Sequence, residues 1–155
     1  MGKKKLQKWG KSTCKKQISS TFKSGKDILE RRTELFQNLV FCKNAEKQLK
    51  NEIDSCNISQ ISRKLFELQA YFSNIGGIFE KDKLNKCTPE SPETLKRFPE
   101  DHSFELPNNE KRIFSWHIRF TGKYEGRIFF EPDAPNKRCY IGHIGGKLST
   151  VKYKT

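Results

Sequence analysis

Between residues 112 and 147 the chain gathers side chains that carry positive charge or move protons. They are His117, Arg119, Lys123, Arg127, Arg138, Tyr140, His143 and Lys147, with Arg112 just ahead of them. Without a metal, such a set suits chemistry at phosphate. The 2′-hydroxyl of RNA can attack its own adjacent phosphate if a base and an acid move protons and cations stabilise the extra phosphoryl charge. His and Tyr serve the first need, Arg and Lys the second. His117, Arg119, Arg127 and His143 form the candidate catalytic set. Lys123, Arg138, Tyr140, Lys147 and Arg112 are candidate nucleic-acid contacts. A surface that only binds a phosphate backbone would use the same residue types, so cleavage and binding both stay open.

Other chemistries fit less well. Acids in this stretch are confined to Glu125, Glu131 and Asp133, too sparse for the clustered carboxylates of a magnesium-dependent nuclease. Gly142, Gly145 and Gly146 lie in IGHIGG, which has neither the Lys-Ser/Thr of a nucleotide loop nor a dinucleotide fingerprint. A nucleophile elbow of the form G-x-S-x-G is missing as well. Cys139 and His143, four residues apart, could meet on one strand face near His117, but they lack the paired spacing of a zinc site. No metal or other cofactor is expected.

These residues sit on runs with the period of two that marks half-buried strands. In the first, Phe114, Trp116, Ile118 and Phe120 alternate with Ser115, His117 and Arg119. In the second, Arg127 to Glu131, Ile128 and Phe130 oppose Arg127, Phe129 and Glu131. In the third, Arg138 to Ile144, Cys139, Ile141 and His143 fall on one side, and Arg138, Tyr140 and Ile144 on the other. Thr121-Gly122 with Gly126, and Asp133 to Asn136, are turn signals between them. An antiparallel β-meander over 111–147 is predicted.

Net charge is +13, unevenly placed. Residues 1–26 hold nine Lys and no acid; residues 111–155 hold ten basic and three acidic residues; the middle is near neutral. Two basic regions flanking a neutral middle favour a polyanionic partner, nucleic acid above all. No stretch approaches the ~20 apolar residues of a membrane span, and no apolar run follows the basic start as in a secretory signal. The five Cys are scattered without a C-x-x-C pair, which suits a reducing compartment. A cytoplasmic protein without membrane contact is expected.

Residues 1–16 are lysine-rich with little to bury and read as a flexible basic arm. Residues 17–155 read as one α+β domain. It opens with a short strand at 17–22, followed by a helical hairpin at 27–77 and a proline-punctuated connector at 80–110. Ser24 or Gly25 can start the first helix. Ile28, Leu35, Cys42, Leu49 and Cys56 recur every seven residues, with Leu39, Ala45 and Ile53 between them, as one apolar stripe over about eight turns. Lys43, Glu46, Lys47 and Lys50 fall on its solvated face. Asn57 can cap a second helix, with Ile58, Ile61, Leu65, Leu68, Phe72 and Ile75 buried and Gly76-Gly77 ending it. One continuous helix through residue 57 is the alternative. The acids of the connector could lie over the basic sheet and screen it.

The order of short strand, two-helix hairpin and three-stranded meander ending in Ile141-Gly142-His143 resembles the RelE/ParE-like toxin superfamily. The resemblance spans roughly residues 17–147, and its specific part is Ile113–Gly145. It implies a helical hairpin packed on a small C-terminal antiparallel sheet. It also implies metal-independent, ribosome-associated cleavage of messenger RNA, as in a toxin-antitoxin system, and an antitoxin protein as partner. By position, Arg119 and Arg127 look like the family's strand-borne phosphate cations and His143 like its late acid. The long helices, the long connector and the Gly145-Gly146-Lys147 extension depart from the family pattern. Some members poison a topoisomerase instead of cutting RNA, which keeps a non-catalytic nucleic-acid-binding protein as the alternative.

Overall fold

The computed structural model describes residues 22–152. The expected basic arm at 1–16 lies outside them, as does the expected first strand except Phe22, which is buried and stacked on Phe66.

The α+β class holds, but residues 27–77 do not form a two-helix hairpin. The 27–56 stripe is broken into short pieces: α1 (Gly25–Glu30), α2 (Arg32–Leu35), a strand β1 (Leu39–Phe41) and α3 (Lys43–Lys50). Ser24 caps α1, its side chain accepting from the Asp27 N–H. The helical run ends at Leu35 with Phe36 as its cap, and Asn38 holds the turn that follows. Its N–H donates to the Gln69 side chain, its amide exchanges a second bond with Gln69, and it donates to the Lys137 carbonyl. The Asn38 carbonyl accepts from the Cys139 N–H. Leu39-Val40-Phe41, with β-branched Val40 and aromatic Phe41, then extends as a strand. Of the heptad positions Ile28, Cys42 and Leu49 are inside, as are Leu39 and Ala45 between them, while Leu35 is only partly buried and Cys56 is exposed. The spacing did not mark continuity, and Ile53, placed on the stripe, is 80% exposed.

The next helix, α4 (Ser55–Ser73), is capped by Asp54 rather than Asn57. Asp54 accepts from the Asn57 N–H, and the buried Asn57 side chain in turn accepts from the Lys123 N–H. Ile58, Ile61, Leu65, Leu68, Phe72 and Ile75 are all buried, as expected. The helix stops at Asn74, ahead of Gly76-Gly77.

The segment 80–110 is more than a connector. It contributes β2 (Cys87–Pro89), α5 (Pro92–Arg97) and β3 (Ser103–Glu105), and β3 pairs with β4 (Lys111–Ile113) in a separate two-stranded ribbon. The meander proper is β5 (Trp116–Thr121), β6 (Glu125–Asp133) and β7 (Arg138–Gly145). The main sheet has the order β1-β7-β6-β5-β2. It is mixed, not wholly antiparallel: β1 runs parallel to β7 at one edge, and β2 runs antiparallel to β5 at the other.

One face of the sheet packs on the helices. Cys139, Ile141, Ile144, Ile128, Phe130, Ile118 and Phe120 meet Ile58, Ile61, Leu65, Leu68 and Phe72 there. The other face is covered by the β3–β4 ribbon, where Phe104, Leu106 and Phe114 pack with Cys42 and Phe129. No helix among the described residues is long and apolar enough to cross a membrane.

A β-bulge sets the third strand's register. Phe130 pairs with Ile141 and Phe129 with His143, which leaves Gly142 as the extra residue. The slip moves His143 off the face of Cys139 and Ile141, so the expected meeting of Cys139 and His143 does not occur. A Cβ at Gly142 would stand 2.7 Å from Phe114 and 2.8 Å from Phe104. Gly142→Ala is therefore expected to cost about 1–3 kcal/mol by overpacking the ribbon contact, read from urea unfolding. Gly146→Ala, whose Cβ would meet nothing within 4 Å, is expected to unfold like the wild type. Equal stabilities for the two variants would remove the ribbon from the account of this glycine.

Candidate nucleic-acid interface

Strand register puts the four candidate catalytic residues on one face of the sheet. His117 lies opposite Phe129, and Phe129 opposite His143. One step along, Arg119 lies opposite Arg127, and Arg127 opposite Gly145. This is the face the ribbon covers, so the four residues differ sharply in exposure. His117, Arg127 and His143 are 4%, 5% and 7% exposed, and Arg119 is open to solvent.

His143 is held through both ring nitrogens. Its Nε2–H donates to the Gly146 carbonyl at 2.8 Å, and its Nδ1 accepts from the Gln48 amide at 3.1 Å. Those partners select the Nε2–H tautomer. Burial, with a smaller push from His102, lowers its pKa to about 4. His117 sits with Nε2 3.1 Å from the Thr88 hydroxyl and Nδ1 3.6 Å from a Glu90 carboxylate oxygen. Burial first, then the Arg127 and Arg119 charges, lower its pKa to about 4 as well. Both imidazoles are neutral at pH 7.

The arginines face a different balance. Arg127 is driven below the usual guanidinium range by burial and by Arg119, and is supported by Glu125 and Glu90. It remains a cation. Its guanidinium donates to the Gly126 carbonyl at 3.2 Å and stands 3.8 Å from Glu125. Among the described residues Arg119 has no ion pair. Arg119 and Arg127 are directly opposed across β5 and β6, close enough that the charge of Arg119 bears on Arg127.

The remaining candidates separate from this centre. Arg112, on β4, pairs with Glu110 at 3.1 Å and feels Glu131 and Tyr140. Tyr140 is half-buried against the ribbon cluster, and Arg138 is exposed opposite Asp133. Lys123 belongs to the β5–β6 turn and reaches Asp54 at 3.2 Å, beside the start of α4. Lys147 is exposed just past β7.

Three contributors were not visible in the sequence. Gln48 and Asn44 on α3 hold the bulge. Asn44 donates to the Gly142 carbonyl, and Gln48 accepts from the Ile144 N–H while donating to His143. His102, in the presumed connector, is fully buried, and its Nε2–H donates to the Ser149 carbonyl at 2.8 Å. All three histidines of the chain thus pack around Phe129, with ring centroids at 4.8, 5.4 and 5.8 Å. Only the polarity of Asn44 and Gln48, within an apolar-periodic segment, could have flagged them. Among the described residues no group of three His, Cys, Asp or Glu side chains is placed to hold a metal ion.

The two lowered histidines fix a sign for acid sensitivity. A histidine whose folded pKa lies below its unfolded value of 6.5 leaves the folded state fully stable above pH 6.5. Stability falls as pH drops toward 4, because the unfolded chain binds the proton first. Going from pH 7 to pH 5 is expected to cost about 2 kcal/mol per histidine, measured by urea unfolding. His143→Gln is expected to flatten that slope by about one histidine's share. A slope unchanged in the variant would mean that His143 titrates normally.

No family model, curated protein or solved structure matches the chain, so the reading of this face rests on its own geometry.

Proposed function

We propose that the chain binds RNA through its phosphates without cleaving it. The carrying observation is the Arg119–Arg127 pair, opposed across β5 and β6 on the one face where the sheet bears charge. Like charges at such positions repel and weaken a sheet, and a phosphate between them would turn the repulsion into two charge-assisted bonds. The chain's +13 charge supplies the long-range attraction to a polyanion. Binding is favoured over catalysis by the state of His143, which spends its proton and its lone pair inside the fold.

A second reading keeps a RelE/ParE-like, toxin-type endoribonuclease, with an antitoxin as its partner. One observation favours it. His117 lies two residues from Arg119 on the same strand face, with a pKa lowered to about 4 that keeps its ring neutral at pH 7. A neutral imidazole beside two phosphate cations is the form a general base takes.

One experiment addresses both. Anisotropy of a labelled oligouridylate is followed against salt, and the same mixtures are run on a gel with and without chelator. Binding is expected to weaken steeply with salt. Arg119→Gln is expected to weaken it about tenfold, the loss of one charge-assisted contact. Arg127→Lys, which keeps the charge but not the bidentate fork, is expected to weaken it less. The RNA is expected to stay intact. A flat salt response, or wild-type affinity in Arg119→Gln, would remove the phosphate reading. Chelator-resistant cleavage that disappears in His117→Gln would establish the second reading.

A further inference from the structure

A histidine placed for packing alone has both ring nitrogens matched, as His143 has. His117 is different. Its Nε2 stands 3.1 Å from the Thr88 hydroxyl, and its buried Nδ1 has no hydrogen-bond partner among the described residues. The group that faces Nδ1 is the Glu90 carboxylate, at 3.6 Å. A carboxylate only accepts, so it favours the proton on Nδ1. That leaves the Nε2 lone pair to accept from the Thr88 O–H.

Strand geometry fixes this row. β2 and β5 pair antiparallel with Thr88 opposite His117. Glu90, two residues after Thr88, falls on the same face by the period of two. The Glu90 N–H donates to the Ser115 carbonyl at 2.8 Å, which carries the pairing one residue past the strand and holds the carboxylate beside the ring. β2 is an edge of the main sheet. Thr88 and Glu90 are half-buried there, whereas His117 is buried. The order from the edge inward is hydroxyl, imidazole, carboxylate, each group matched to the one that serves it.

We propose that Thr88 is a nucleophile, activated by His117 and oriented through Glu90, that hydrolyses carboxylic esters at the β2 edge. Such a series is recognised by geometry and roles rather than by sequence position, and threonine hydroxyls serve as nucleophiles beside a base. The 3.6 Å contact is longer than a hydrogen bond, and such contacts commonly tighten when substrate binds. The Thr88 oxygen bonds to the ester carbonyl carbon while its proton passes to His117 Nε2. The ester C–O bond breaks, and the departing alcohol takes that proton. Water, giving its proton to the same nitrogen, then splits the acyl group from Thr88 as the carboxylic acid, and the proton returns to the Thr88 oxygen. Exposed Arg119 lies diagonal to Thr88 across the two strands, within reach of a long side chain, and its charge is felt at the His117 ring. It is the cation available to the oxyanion that forms during attack. The activity goes beyond phosphate binding and needs no RNA: Thr88 and Glu90 have no part in that reading.

The test treats the full chain with a fluorophosphonate, which transfers its phosphonyl group to an activated hydroxyl with loss of fluoride. The adduct is located by peptide mass, and steady turnover of p-nitrophenyl acetate is followed before and after labelling. One adduct on Thr88 is expected, with turnover lost as it forms. Labelling is expected to be absent in Thr88→Val, retained in Thr88→Ser, slowed in Glu90→Gln and reduced about a hundredfold or more in His117→Gln. Its rate is expected to stay level from pH 6 to pH 8, because a base with a pKa of about 4 is already unprotonated there. A hydroxyl without a base would react faster as pH rises. Urea unfolding of each variant separates lost chemistry from lost fold. Should His117→Gln not fold, Glu90→Gln and the pH profile decide the role of the imidazole. No adduct on Thr88, an adduct that leaves turnover intact, or Thr88 labelling that climbs with pH or persists in folded His117→Gln would overturn the proposal.

Discussion

Two amide side chains stand where a strand would be. β1 pairs with β7 only from Cys139 to Ile141. Beyond that point, among the described residues, β7 has no strand on its outer side, and the chain that was β1 has become α3. Asn44 and Gln48, one helical turn apart, take over the pairing by bonding the Gly142 carbonyl and the Ile144 N–H. Each such bond nets about 1 kcal/mol, and each backbone group left bare in the interior would cost about 1–3 kcal/mol. The bulge at Gly142 survives because its polar groups are met from the side. The bulge in turn decides which face His143 occupies.

The sheet consequently has two interiors of different character. The helix side is built mainly of apolar side chains, from Phe36 to Ile144, with Ser62 of α4 buried as well. The ribbon side packs Phe104, Leu106, Phe114 and Phe129 against three imidazoles and a guanidinium. A polar group is tolerated best there where a partner is supplied. Gln48, Thr88, Gly146 and Ser149 supply partners to one or both ring nitrogens of each histidine, while the buried Nδ1 atoms of His102 and His117 have no hydrogen-bond partner among the described residues. The covering layer therefore does two things to the same residues. It removes His117 and His143 from water, lowering their affinity for protons, and it leaves Arg119 outside to meet whatever approaches.

Period-two alternation made β5 and β6 legible, because a strand with one apolar face repeats every second residue whatever its neighbours are. Ile118 and Phe120 against His117 and Arg119 came out as read. In α4 the line from Ile58 to Phe72 was legible for the equivalent helical reason. What failed were features decided by distant partners. Leu39-Val40-Phe41 fits a helical stripe locally, and only its pairing with Cys139 to Ile141 makes it a strand. The bulge at Gly142 leaves no local sign, since IGHIGG alternates acceptably in either register, and a slip of one residue exchanges faces. His102 sits among acids and prolines that read as a loop, and its burial depends on the ribbon and on Ser149 together. The candidate cations were legible as residue types; their grouping was not, since register places Arg119 against Arg127 and carries Arg112 and Lys123 elsewhere.

The arginine pair is the element that local stability does least to explain. Opposed like charges on neighbouring strands work against the sheet, and burying one of them adds desolvation. The nearest acids are arranged for other duties or are too open to compensate. Glu90 lies against His117, and Glu125 stands 3.8 Å from Arg127 with most of its side chain in water, where an ion pair contributes little. A Thr or Val pair would suit these positions better as plain sheet. An anion shared by the two guanidinium groups changes that comparison, because the groups that repel each other in the free protein become the two arms of one charge-assisted contact. Under the phosphate-binding proposal, the like charges that weaken the unliganded sheet would strengthen a bound state, and the difference between the two would favour binding.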